Sequence, residues 1–299
     1  MNAIEVHGVK KNFGKLAVLK GIDLTVAQGE IFTLLGENGA GKSTLINILA
    51  TLSKADGGEV RVLGLDPVRD GNKVRELISL NAQETTFDEE FTGSDNLRLI
   101  AQLRGIPNAA ATIADVTARL DLGSFLARKV KTYSGGMKRR LDLAMSLLGK
   151  PKLIFLDEPT TGVDPKNRLA LWQLIREIRD AGTTVFLTTQ YLDEADALSD
   201  HIAFIKDGVI VKNGTPAEIK RRLTTTYTLQ AADGQGARAR QALTAGGVAF
   251  ADKADALSLD EANAARGLEV LTVDGITVAH YNRDEADLES VFLAVNGME

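Results

Sequence analysis

The sequence predicts an α/β protein: a parallel sheet covered by helices on both faces, broken by a helical insertion and followed by a small α+β domain. Three observations carry this. From Ile4 to about Leu223, short apolar runs with β-branched residues alternate with segments of helical pattern, as parallel strands joined by crossover helices require. Between about Asp88 and Lys150 the pattern is helical alone. Beyond about Leu223 the texture becomes richer in Ala and Gly. The expected domains are therefore 1–222, with a helical subdomain at about 88–150, and an accessory domain at 223–299.

The elements justify themselves in order. Ile31 to Leu35 reads as a buried strand, and Lys42 to Leu52 as the helix that follows it. Ser94 to Leu103 and Ala109 to Leu120 are helices of the insertion. Leu153 to Leu156 and Thr184 to Thr188 are two further buried strands. Asp207-Gly208 is a tight turn between Ile202–Ile205 and Val209–Val211, a hairpin signal. A helix through Pro216 to Leu223 carries Pro in its first turn. In the tail, Asp274-Gly275 between Leu268–Val273 and Ile276–Tyr281 predicts another hairpin. The last helix aligns Leu288, Val291, Phe292 and Val295 on one face.

Composition narrows the function. The 299 residues carry a net charge of -5, so no overall basic field draws the chain to nucleic acid or anionic lipid. The triplet Lys138-Arg139-Arg140 reads by default as a solvated helix face. With no cysteine, disulfides, thiol catalysis and thiolate metal sites are excluded, which fits a reducing cytoplasm. Met1 to Lys11 has no apolar stretch of signal-peptide length, and no run approaches the roughly 20 apolar residues that span a bilayer. Even Leu141 to Leu148 is interrupted by Asp142.

The first chemical motif is Gly36-Glu37-Asn38-Gly39-Ala40-Gly41-Lys42-Ser43-Thr44, lying between a predicted strand and a predicted helix. It fits the P-loop pattern and hence a P-loop NTPase (RecA-like) core. Glycines let the backbone curl so that its N–H groups converge on a phosphate, and the helix adds the positive end of its dipole. Lys42 reaches the β and γ phosphates of ATP, and the Ser43 hydroxyl can ligate Mg²⁺. The second motif, Leu153-Ile154-Phe155-Leu156-Asp157-Glu158, buries a strand and delivers two carboxylates at its C-terminal edge. Asp157 would hold Mg²⁺, directly or through water; Glu158 would accept a proton from an attacking water.

The motif Tyr133-Ser134-Gly135-Gly136-Met137, before a helix, reads alone as a capped turn and in series with the other motifs as a second phosphate-binding device without a lysine. It resembles the signature of the ATP-binding cassette (ABC) ATPases, usually written Leu-Ser-Gly-Gly-Gln. The resemblance covers residues 1 to 222 and implies further assignments. Phe13 resembles the aromatic that stacks on adenine, core packing being its other reading. Gln83 matches the glutamine loop that touches Mg²⁺. Gly162-Val163-Asp164-Pro165 resembles the loop that communicates across the cassette dimer. Two positions depart from the family pattern. The signature ends in Met137, and the residue after Thr188-Thr189, usually a histidine at the γ-phosphate, is Gln190. An amide donates hydrogen bonds but does not titrate near neutral pH, so Gln190 is expected to position, leaving Glu158 as the base.

The stretch Thr188 to Asp196 and the ending Leu288-Glu289-Ser290-Val291-Phe292-Leu293 resemble the daunorubicin-resistance-type exporter ATPases. What this implies is an exporter subunit that hydrolyses ATP and drives efflux of a drug-like or hydrophobic substrate. Two copies would close head to tail on ATP-Mg²⁺, each ATP between the P-loop of one and the signature of the other. Closure would pass through Gln83 and Glu84 to Phe87 to a separate integral membrane permease. The chain would be cytoplasmic, peripheral on the inner face of the cell membrane. An importer ATPase, a soluble ABC-type mechanical switch and a weakly hydrolysing nucleotide-binding regulator are the alternatives.

Overall fold

The computed structural model describes residues 1–82, 87–221, 226–253, 255–284 and 288–296, in two compact units, Met1–Thr215 and Pro216–Glu299. The first unit begins with β1 (Asn2–Phe13), β2 (Leu16–Ala27) and β3 (Ile31–Leu35), then α1 (Lys42–Leu49), β4 (Gly57–Val62), α2 (Gly71–Leu77) and β5 (Ile78–Asn81). Three helices follow, α3 (Gly93–Leu103), α4 (Ala109–Arg119) and α5 (Gly135–Leu147). The unit closes with β6 (Leu153–Asp157), α6 (Pro165–Asp180), β7 (Thr184–Thr189), α7 (Leu192–Leu198), β8 (His201–Lys206) and β9 (Val209–Gly214).

Six strands form the central sheet in the order β5-β6-β7-β3-β8-β9; all neighbours are parallel except β9. Residues alternate between its faces, and each face has its own core. Phe32, Leu34, Phe155 and Phe186 lie on one side with Leu45, Ile46 and Leu49 of α1. Ile154, Leu156, Val185 and Leu187 lie on the other, with residues of α3, α5 and α6. Each such fully buried large side chain contributes about 1.5–3 kcal/mol, so α1 and the strands are held firmly relative to one another. The β8–β9 turn occurs as expected, with Asp207 and Gly208 both at positive φ (49° and 80°).

The N-terminal region departs from simple βα alternation. β1 pairs with β2 and with β4, all antiparallel, in a separate three-stranded sheet whose Ile4, Val6, Ile22 and Val26 share the α1 core. The α1 helix also stops earlier than expected, at Ala50, where Thr51 takes a φ of 68°.

The second unit contains α8 (Pro216–Arg221), β10 (Thr226–Ala231), α9 (Gly236–Ala245), β11 (Ala251–Lys253), β12 (Ala256–Asp260), α10 (Glu261–Val273), β13 (Val278–Asp284) and α11 (Leu288–Asn296). Its antiparallel sheet runs β11-β12-β10-β13 over a core of Leu229, Leu243, Leu257, Leu259 and Leu271. The hairpin expected around Asp274-Gly275 is not formed. Leu268–Val273 is the end of α10, whose start is capped by the Asp260 carboxylate accepting from the Asn263 N–H. Asp274-Gly275 terminates that helix: Gly275 has a φ of 66°, its N–H donates to the Thr272 carbonyl, and the Ile276 N–H donates to the Leu271 carbonyl. The left-handed glycine that suits a hairpin turn equally suits this helix stop.

Candidate active site

Strand register assembles the site. Leu35 pairs with Thr189 and Asp157 with Thr188, so the C-terminal ends of β3, β7 and β6 lie side by side. The Gly36 N–H donates to the Thr189 carbonyl at 3.2 Å, and the Glu158 N–H to the Thr188 carbonyl at 3.1 Å. The loop Gly36–Thr44, the pair Asp157-Glu158 and Gln190 thus share one sheet edge, the edge where open α/β sheets bind ligands.

The phosphate loop needs its glycines for two reasons. Gly39 and Gly41 sit at φ 85° and 109°, and a Cβ on Gly36 would lie 2.4 Å from the Ile205 carbonyl oxygen. Gly41 caps α1 without a side chain, and no acidic residue occupies the first turn. The N–H groups of Lys42, Ser43 and Thr44 therefore have no intrahelical acceptor, an anion-binding end. Lys42 is buried; its ammonium donates to the Gly36 and Glu37 carbonyls at 2.8 and 3.1 Å and pairs with Glu158 at 3.3 Å.

Glu158 has a left-handed backbone, φ 50°, uncommon for a residue with a Cβ and typical of functional sites. Its N–H also reaches the Thr188 hydroxyl at 3.2 Å, and the Thr161 hydroxyl donates to its carboxylate at 3.3 Å. Asp157 is buried and accepts from the Thr188 hydroxyl. Ser43, exposed in the first turn of α1, and Asp157 are hard oxygen donors of the kind Mg²⁺ takes. Among the described residues no group of three His, Cys, Asp or Glu could hold a metal alone. That donor set fits a cation shared with substrate phosphates.

Gln190 follows β7 directly and is half-buried. Phe13 ends β1 and is 55% exposed, with the Lys11 ammonium 5.5 Å from its ring centre, so core packing does not explain it. Gln83 and Glu84 to Thr86 lie outside the described residues. Ser134 caps α5, accepting from the Met137 N–H at 3.3 Å; Ser134 and Gly135 are exposed. A Cβ on Gly136 would meet the Asn167 side chain at 2.7 Å. Asp164, Pro165 and Asn167 build the start of α6, with the Asp164 carboxylate accepting from the Asn167 N–H at 3.1 Å. Among the described residues, no hydrogen bond joins Ser134–Gly136 to the phosphate loop.

The ABC transporter family matches residues 19–161, a span that includes the phosphate loop, Ser134–Gly136 and Asp157-Glu158. The daunorubicin/doxorubicin resistance ATP-binding protein DrrA of Streptomyces peucetius is 42% identical over 305 residues, covering 99% of this chain and 92% of its own. The chain belongs to the ABC transporter ATP-binding family. Its members hydrolyse ATP, and this cassette is an ATPase. The daunorubicin resistance ATP-binding protein DrrA3 of Streptomyces coeruleorubidus is 46% identical, covering 73% of this chain and 70% of its own. Among solved structures, a nucleotide-free ATP-binding cassette from an ABC transporter superposes with a TM-score of 0.68 at 26% identity, covering 74% of this chain and 94% of its own.

Two groups in the cassette were not legible as parts of the site. Arg139, expected on a solvated face, is only 7% exposed. Its guanidinium donates to the Pro159 carbonyl at 2.8 Å and the Asp157 carbonyl at 3.3 Å, bracing the strand end that carries Asp157 and Glu158. It also reaches Asp142 at 3.4 Å. Burial pushes the Asp142 carboxyl up to about 6, against the pull of Arg139. Lys138 and Arg140, by contrast, pair with Glu89 and Asp121 at partly exposed positions. An arginine three residues before an aspartate inside the apolar run after Ser134 was the available signal. The second group is Glu194 in the first turn of α7, fully buried, accepting from the Trp172 indole N–H at 3.1 Å. Burial pushes its carboxyl up, opposed by the hydroxyls of Thr189 and Thr160 and by the indole.

Proposed function

We propose that the cassette powers efflux of a drug-like or hydrophobic substrate through a separate permease, by ATP-dependent closure of two copies. The observation that carries this is that the cassette has two helix N-termini suited to phosphate, only one of which adjoins the sheet edge with its lysine and carboxylates. Lys42, Asp157, Glu158 and Gln190 share one sheet edge, whereas Ser134 and Gly135 at the start of α5 are exposed and, among the described residues, make no hydrogen bond to the phosphate loop. Each ATP is then completed by Ser134, Gly135 and Gly136 of a second copy, arranged head to tail. The resistance-protein relatives support the export direction. In this reading the chain works from the inner face of the membrane through the permease; among the described residues no helix is long and apolar enough to cross a membrane.

In this reading Phe13 stacks on adenine, and Gly36 to Thr44 wrap the phosphates with Lys42 as their cation. Ser43 and Asp157, with Gln83, would hold Mg²⁺, which when bound neutralises phosphate charge. Glu158, kept beside Lys42 by its left-handed backbone, takes the proton of the attacking water, and Gln190 donates to the γ-phosphate. Glu158→Gln keeps the shape of the site and removes the base. With ATP-Mg²⁺ this variant is expected to form a stable dimer by light scattering, while the parent cycles through it. A variant that stays monomeric while binding ATP would contradict closure.

A further inference from the structure

We propose that Glu194 is a positioning residue that latches the segment after Glu158 to the segment carrying Gln190, through a hydrogen bond from the Thr160 hydroxyl formed during the ATPase cycle. It rests on ATP hydrolysis by this edge and not on closure of two copies.

Four observations lead there. Glu194 lies four residues beyond Gln190 and is fully buried, an unfavourable place for a carboxyl that packing alone would fill with a hydrocarbon. One of its oxygens accepts from the Trp172 indole on α6, the helix that Asp164 caps just after the Glu158 segment, so α7 is already tied to α6. Its other oxygen, Oε2, is buried without a hydrogen bond, and so is the Thr160 hydroxyl, two residues past Glu158. These are an acceptor and a donor, neither of them hydrogen-bonded, and the Thr160 hydroxyl favours the carboxylate form of Glu194. Thr189, adjacent to Gln190, faces the same carboxyl, while its own hydroxyl accepts from the Tyr191 N–H at 3.0 Å. A small shift of Thr160 would satisfy both orphaned atoms at once and would move Glu158 and Gln190 as one body.

Trp172 is the chain's single tryptophan and touches the latch, so its fluorescence reports on it. The test uses the full chain with Thr160→Val, which keeps shape and removes the hydroxyl, Glu194→Leu, the double variant and Glu194→Gln. Thr160→Val should lower kcat about fivefold with KM for ATP within about twofold, and should abolish the ATP-induced change in Trp172 emission. Glu194→Leu should also slow turnover, and adding Thr160→Val to it should cost nothing further. Glu194→Gln should recover most of the activity lost in Glu194→Leu, because an amide can accept from the indole and donate to Thr160. Wild-type kcat and emission response in Thr160→Val would overturn the proposal, as would two effects that simply multiply. So would a loss of thermal stability with kcat and KM intact.

Discussion

Two helix N-termini in the cassette, those of α1 and α5, meet the same physical problem and are equipped differently. Each presents backbone N–H groups without intrahelical acceptors. At α1 the cap is Gly41, with no side chain to satisfy them, and the Lys42 ammonium sits beside Glu158. At α5 the Ser134 hydroxyl takes one of those N–H groups, and the nearby cations are engaged elsewhere. Lys138 pairs with Glu89; Arg139 turns inward to the Asp157 and Pro159 carbonyls. The α1 end therefore has a cation and a carboxylate beside it, while the α5 end offers hydrogen bonds and a dipole. In the function proposed above, the first is the greater part of a phosphate site and the second completes it.

The largest expected effects break the α1 end. Lys42→Ala and Glu158→Gln should each lower kcat by about 10³-fold in a steady-state ATPase assay. They should differ in binding: Lys42→Ala weakens ATP, whereas Glu158→Gln retains it in a direct nucleotide-binding titration. Equal loss of binding in both would remove Glu158 from the role of base.

The next effect asks whether the buried arginine of α5 serves the α1 edge. Arg139→Ala leaves Asp142 buried without its partner and the Asp157 and Pro159 carbonyls without a donor. Denaturant unfolding should show a loss of about 3 kcal/mol. A change within 0.5 kcal/mol, about the size of a neutral surface substitution, would return Arg139 to an ordinary helix face.

A pH series sharpens the same point. The folded Asp142 carboxyl holds its proton up to about pH 6, above its ordinary 3.8, so between these values the folded state binds more proton than the unfolded chain. Its contribution to stability falls as pH rises through that window, and the penalty is complete above about pH 6. Asp142→Asn lacks this slope, so it should gain on the parent by up to about 3 kcal/mol between pH 4 and pH 7. A gap that stays constant with pH would mean that Asp142 is ionised throughout.

The smallest effect concerns the amide at the sheet edge. Gln190→Ala should lower kcat by about tenfold, with the pH profile unchanged because no titrating group is lost. Full activity in this variant would leave Gln190 without a positioning role.

These contrasts also mark what the sequence made legible. The phosphate loop and the acidic strand end could be read because their chemistry dictates a local spacing, and backbone register alone brings them together. Arg139 could not be read that way: its partners are carbonyls 18 and 20 residues away, and only the packing of α5 selects it over Lys138 and Arg140. The left-handed backbone of Glu158 left no trace in the local sequence, and the residue its N–H is tied to, Thr188, lies 30 positions away. Asp274-Gly275 misled because the same positive-φ glycine ends a helix or turns a hairpin. The α10 cap at Asp260, fourteen residues upstream, decides between them.

The central claim is that α1 of one copy and α5 of another make one site. Lys42→Ala disables the first end and Ser134→Glu the second, by placing a carboxylate where phosphate would bind. Mixed in equal amounts, the two inactive variants should regain ATP hydrolysis, because mixed pairs contain one intact site: the Lys42 of one chain facing the Ser134 of the other. A mixture no more active than its two components would contradict the account.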